Sequence, residues 1–131
     1  MEYFDNKLLR NNFESMKKGI SQLKTFSKGK KALILGDMLE LSDQSVMIHE
    51  KLGKYIDSLD FIDSVYGIGE LIKHSIEVIK KDSINKIYFS NLDTFIEYFA
   101  DYKKNYSVIY LKGSRSMKLE NIISSLFEVK C

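Results

Sequence analysis

Residues 32–41 read ALILGDMLEL, and the reading of this stretch decides the fold. Ala32, Leu33, Ile34 and Leu35 form a short continuous apolar run, entered from Lys30-Lys31 and ended by Gly36. A run of this length without polar alternation suits a strand covered on both faces, the usual condition of a parallel strand. Two carboxylates, Asp37 and Glu40, follow within four residues, and no glycine-rich loop that could cradle a phosphate accompanies them. Acids at the end of a core strand then need another use.

Toward the N-terminus, Phe13, Met16, Ile20, Leu23 and Phe26 recur at helical spacing, with Asn11 or Asn12 as N-cap. Beyond the central run, Ser42-Asp43 can cap a second helix with Val46, His49, Leu52, Gly53 and Ile56 along one side. Residues 61–66 predict a strand ending in Gly67-Ile68-Gly69, and a helix from Glu70 to about Lys80 follows. Residues 86–89 predict the next strand, and Ser90-Asn91 opens a helix through Phe95, Phe99 and Tyr102. Residues 107–111 form the last predicted strand, which stops at Lys112-Gly113-Ser114-Arg115. A final helix carries Met117, Leu119, Ile122, Ile123 and Leu126.

Strand and helix alternate four times after an opening helix. Parallel neighbours need crossover connections of this kind, because a tight hairpin cannot join them. The expected fold is α/β: a three-layer, Rossmann-like, doubly wound and mostly parallel sheet with flanking helices. There is no proline, no low-complexity tract and no repeat, so residues 1–131 are expected to be one domain. Ligands of such sheets bind beyond the carboxyl ends of the strands.

Composition narrows the class. A 131-residue chain with 44% hydrophobic and 29% charged residues matches a globular domain, not a disordered tail. A formal net charge of +2, from 20 basic and 18 acidic residues, argues for neither a nucleic acid nor an anionic membrane as partner. The one cysteine, Cys131, cannot make an internal disulfide, which points to a reducing compartment. No apolar run approaches a membrane span, and MEYFDNKLLRNN contains no signal-peptide core. The expectation is a cytoplasmic domain.

Gly67-Ile68-Gly69 lacks the third glycine of a dinucleotide fingerprint, since position 72 is Ile72. No G-x-x-x-x-G-K-S/T pattern occurs, so the chain has no P-loop of its own. His49 and His74 are far apart and no Cys/His ligand spacing exists, so no metal site is expected. Asp37, just past a strand end, is placed to accept hydrogen bonds from sugar hydroxyls, or else to be a solvated turn residue. His49 in mid-helix reads as a packed histidine before it reads as a base. Lys112-Gly113-Ser114-Arg115 sets two cations, a hydroxyl and a flexible backbone at a helix start, a natural anion site. The alternative there is an ordinary basic turn balancing Glu120.

LILGDMLEL, the helix with His49, VYGIGEL with Gly67 and Gly69, and YLKGSRSMKLENII, in this order, resemble the C-terminal domain of the Mur ligases. The likeness runs from about Phe13 to about Leu126 and is greatest to the member that adds D-alanyl-D-alanine. It implies the last of three domains in a cytoplasmic, ATP-dependent amide ligase of peptidoglycan precursor synthesis. In that family ATP and magnesium are held mainly by the central domain, and the N-terminal domain holds the UDP-sugar nucleotide. ATP activates the carboxylate of UDP-MurNAc-tripeptide and the amine of D-Ala-D-Ala attacks it. The C-terminal domain closes over the nucleotide and brings the acceptor.

The resemblance implies nucleotide contact for Asp37 and Asn12, and receipt of the D-Ala-D-Ala carboxylate or reacting phosphate by Lys112, Ser114 and Arg115. It gives Gly36, Glu40, His49 and Gly113 supporting roles, and no catalytic residue to this domain. Residues 1–12 correspond to the family's hinge but depart from its D-x-Y-N-A-N-P-x-S-M pattern. Lys7 stands for the acid, Leu9 for the tyrosine, Arg10 for the first asparagine and Phe13 for the proline, while Asn12, Ser15 and Met16 agree. The chain is expected to be either a ligase domain, inactive alone, or a free-standing non-catalytic binding module derived from one. A generic nucleotide-binding domain of the same fold class is a third reading.

Overall fold

The structure of the protein, a computed structural model, describes residues 2–5, 13–26, 28–38 and 44–113. Its elements in chain order are β1 (Glu2–Asp5), α1 (Phe13–Gln22), β2 (Lys31–Gly36), α2 (Ser45–Asp57), β3 (Ser64–Ile68), α3 (Lys73–Val78), β4 (Asn85–Phe89), α4 (Leu92–Phe99) and β5 (Val108–Lys112). The five strands form one sheet in the order β1-β5-β2-β3-β4. Every adjacent pair is parallel.

Strand β2 lies at the middle and is buried along its whole length. Leu33 and Leu35 enter one apolar cluster, while Ala32 and Ile34 enter another. This is the two-residue period of a strand whose faces are both covered. Strand β5 repeats it, with Val108 and Tyr110 in the first cluster and Ile109 and Leu111 in the second. Burying one such side chain contributes about 1.5–3 kcal/mol, so both layers matter to stability.

The first cluster takes Met16 and Ile20 from α1, Leu52 and Ile56 from α2, and Ile76 from α3. The second takes Phe95 and Phe99 from α4. Topology accounts for this division. The steps β2 to β3 and β3 to β4 run one way across the sheet, so right-handed crossovers put α2 and α3 on one face. The return from β4 to β5 runs the other way, and α4 lands on the opposite face. The three-layer, doubly wound fold expected from the sequence is the fold observed.

Several boundaries differ from expectation. Residues 2–5, assigned to a hinge, form the edge strand β1, with Glu2 to Asp5 paired to Val108 to Leu111. Four residues carry too little period to register as a strand; the open edge of β5 decides it. Strand β3 starts at Ser64, not Phe61, and continues through Gly67 and Ile68, which pair with Leu35 and Gly36. Ile62 is apolar because it is buried against the core, not because it is in the strand. Helix α3 starts at Lys73, later than Glu70, for a reason found at the site below. Val46 is 42% exposed and off the buried face formed by His49, Leu52, Gly53 and Ile56. The expected caps at residues 11, 12, 42 and 43 and the final helix lie outside the described residues. Asn91 does cap α4: its side chain accepts the Thr94 amide at 2.9 Å.

Candidate functional site

The strand order departs from chain order between β2 and β5, neighbours in the sheet that are far apart in sequence. Carboxyl ends at such a reversal are where open α/β sheets bind ligands. Leu35 pairs with Lys112, so Gly36-Asp37 and Gly113 leave the sheet side by side. Gly36 also pairs with Ile68, which brings Gly69 to the same edge. Asp37, Lys112 and Gly113, three of the residues singled out from the sequence, are thus gathered at one place. Asn12, Glu40, Ser114 and Arg115 lie outside the described residues.

Asp37 is not a solvated turn residue. It is 7% exposed, and its carboxylate accepts the Glu70 amide at 3.0 Å and the Ile72 amide at 2.8 Å. Two backbone donors before the first turn of α3 are thereby satisfied, which holds residues 70–72 as a loop and delays the helix. Gly69 is required here, with φ at +128° and a position where a β-carbon would lie 2.4 Å from Asp37 Oδ1. Tyr88 adds a further tie by donating its hydroxyl to the Gly69 carbonyl. The carboxylate fixes the rim of the crevice between β2 and β3.

His49 ties the same rim to α2. Its ring is fully buried; Nε2 accepts the Met38 amide at 3.0 Å and Nδ1 donates to the Ser45 carbonyl at 2.6 Å. This arrangement fixes the neutral tautomer with the proton on Nδ1. Burial lowers the imidazole pKa below 6.5, opposed by the Ser45 carbonyl and by the negative charge of Asp37. A histidine with a depressed folded pKa favours the native state fully above its unfolded pKa. That contribution is lost as pH falls from there through the folded value. The urea midpoint of the protein should therefore fall as pH drops below about 6.5, with a slope from this group of at most about 1.4 kcal/mol per pH unit. Comparison with His49→Gln over the same range isolates the imidazole, and an identical slope in the variant would refute its role.

Lys112 is the last residue of β5 and only 3% exposed. Its side chain is buried at the strand end. The expectation from sequence set Asp37 and Lys112 at strand ends and His49 in mid-helix, where the structure has them, but it gave no partners for Asp37 or His49. The Glu70 and Ile72 amides hold Asp37, and the Met38 amide and the Ser45 carbonyl hold His49. No spacing in a single sequence signals a bond between a side chain and a backbone amide more than thirty residues away. Among the described residues, no group of three or more His, Cys, Asp or Glu gathers to hold a metal. No helix among them is long and apolar enough to cross a membrane.

No family model matches the chain. It is 34% identical over 111 residues to the UDP-N-acetylmuramoyl-tripeptide–D-alanyl-D-alanine ligase of Rickettsia prowazekii, a match covering 84% of this chain and 24% of that protein. The ligase of the same name from Bacillus subtilis is 34% identical over 104 residues, covering 76% of this chain and 22% of the relative. The chain thus spans about a quarter of the length of the curated relatives it matches. Among solved structures, MurF from Acinetobacter baumannii superposes with a TM-score of 0.75 at 23% identity, over 88% of this chain and 26% of that one. MurF ligase from Thermotoga maritima in complex with ADP gives 0.65 at 29% identity, over 87% and 25%.

Proposed function

The chain belongs to the Mur ligases, as a relative of the MurF enzymes, and from that premise we propose that it is the C-terminal domain of an ATP-dependent ligase of peptidoglycan precursor synthesis. Its task is to close over a nucleotide held elsewhere and to receive D-Ala-D-Ala as acceptor for UDP-MurNAc-tripeptide, in the cytoplasm. The observation that carries this reading is the emergence of β2 and β5 side by side at the strand-order reversal, with Asp37 just past the end of one and Lys112 at the end of the other.

Phosphoryl transfer depends on positioning and on charge neutralisation by a P-loop and metal. The sequence holds no P-loop, so ATP and magnesium fall to a central domain, and this domain is inactive alone. On the acceptor side, Lys112, Ser114 and Arg115 supply cations and a hydroxyl suited to a carboxylate or a reacting phosphate. On the nucleotide side, Asn12 and Asp37 are the contacts. Asp37 acts there chiefly through the rim that it holds by the Glu70 and Ile72 amides. Gly36, Glu40, His49 and Gly113 support the two strand ends.

A chimaera tests the proposal. A MurF ligase whose C-terminal domain is replaced by this chain should form UDP-MurNAc-pentapeptide from ATP, the tripeptide nucleotide and D-Ala-D-Ala. In it, Arg115→Ala should lower kcat/KM for D-Ala-D-Ala by about tenfold or more, the loss of one charge-assisted hydrogen bond. Turnover by the isolated chain, or a chimaera indifferent to Arg115→Ala, would overturn the proposal. The departures at Lys7, Leu9, Arg10 and Phe13 favour a second reading, a binding module without the closing step. An inactive chimaera that still binds D-Ala-D-Ala by calorimetry would support that one.

A further inference from the structure

Strand β2 ends at Gly36, so Met38 stands beyond the ladder that joins β2 to its neighbours. Among the described residues, the Met38 amide has one partner, the Nε2 of His49 at 3.0 Å. Nδ1 carries the ring proton, which it donates to the Ser45 carbonyl at 2.6 Å, so Nε2 has only its lone pair to offer. A proton arriving on Nε2 occupies that lone pair and sets one N–H against another. The bond to Met38 and a charged imidazole therefore exclude each other.

We propose that His49 is a pH-sensitive switch of the crevice: acidification places a proton on Nε2, releases the Met38 amide and loosens the exit of β2 while the sheet stays formed. The ladder is untouched by this step. Ala32 to Gly36 remain paired with Ser64 to Ile68, and Lys31 to Leu35 with Val108 to Lys112. The crevice is affected because Asp37 immediately precedes Met38 and holds the Glu70 and Ile72 amides. Nothing in the proposed ligase role requires such a device.

Two ionisable groups face the imidazole among the described residues. Asp37, from the exit of β2, favours the charged ring, and His74, from α3, opposes it. The Ser75 hydroxyl of α3 donates to the His49 carbonyl at 2.5 Å and leaves the ring alone. Burial outweighs Asp37 and holds the imidazole below 6.5, so the ring is neutral and the Met38 bond intact at neutral pH. The bond is lost as pH falls from about 6.5 through the folded value. The imidazolium also attracts the Asp37 carboxylate, in competition with the Glu70 and Ile72 amides, so both sides of the rim loosen together.

Amide and ring-proton NMR of the protein, from neutral pH down to about pH 4.5, tests the switch. The Met38 amide should move upfield with the midpoint of the His49 ring, while the Leu33 and Ile34 amides stay in place. His74→Gln assigns the two ring signals. Hydrogen exchange at Met38 should stay insensitive to low urea, the mark of a local opening, with protection falling by up to about tenfold per pH unit. His49→Gln, which keeps an acceptor but cannot titrate, should abolish both pH responses. A Met38 amide that ignores the ring, one that titrates unchanged in His49→Gln, or loss of the Leu33 and Ile34 signals together with Met38 would each overturn it. The measurement needs this chain alone, so its failure leaves the ligase proposal standing.

Discussion

Asp37→Ala should destabilise the protein by about 2–4 kcal/mol, read as a lower urea midpoint at unchanged slope. The cost arises because Ile72 is fully buried, so its amide would be left without a partner, while the Glu70 amide, on an exposed residue, recovers part of its loss from water. Asp37→Asn should cost less than Asp37→Ala, since one oxygen remains to accept. Gly69→Ala supplies an independent check on the same contact. Its backbone, at φ +128°, resists any side chain, and the added methyl would stand 2.4 Å from the Asp37 carboxylate. Strain of that kind costs about 1–3 kcal/mol before the displaced carboxylate is considered. In the Asp37→Ala background the steric part vanishes, so the two changes should be less than additive, by about 0.5–3 kcal/mol. Full additivity would mean that the carboxylate does not hold this loop.

The second large effect concerns the seam between α2 and α3. Gly53→Ala on an exposed helix face would stabilise by about 1 kcal/mol through helix propensity. Here a β-carbon would lie 2.3 Å from the Ser75 carbonyl oxygen and 2.3 Å from Val78 Cγ2. The carbonyl belongs to the backbone of α3 and cannot swing aside. The two helices must part, and the bond from Ser75 Oγ to the His49 carbonyl at 2.5 Å lies on that seam. The expected sign is therefore reversed, a net loss of about 1–3 kcal/mol. Thermal unfolding of Gly53→Ala decides between the two signs. A gain in stability would show that the helices are free to separate at no cost.

Much of the architecture was legible because β2 and β5 carry the apolar runs Ala32–Leu35 and Val108–Leu111, and such strands belong to a parallel sheet with two covered faces. The strand ends carried the next layer of information, since Gly36-Asp37 and Lys112-Gly113 mark where the chain leaves the core. What stayed hidden was long-range. Asp37 read as a ligand contact or a turn residue, and the two amides that its carboxylate accepts from the loop after β3 left no trace in local pattern. Strand β1 was illegible because pairing with β5, not its own four residues, makes it a strand. The hydroxyl contacts of Tyr106 with Tyr66 and Ser64 join residues forty or more positions apart, which local pattern cannot register.

The imidazole of His49 has one more consequence. By gripping the Met38 amide with one nitrogen and the Ser45 carbonyl with the other, it works like a buckle that clasps the exit of β2 to the first turn of α2. Side chains at the crevice can be exchanged while the clasp keeps its gauge. Evolution could then adjust what the crevice meets without retooling the sheet beneath it.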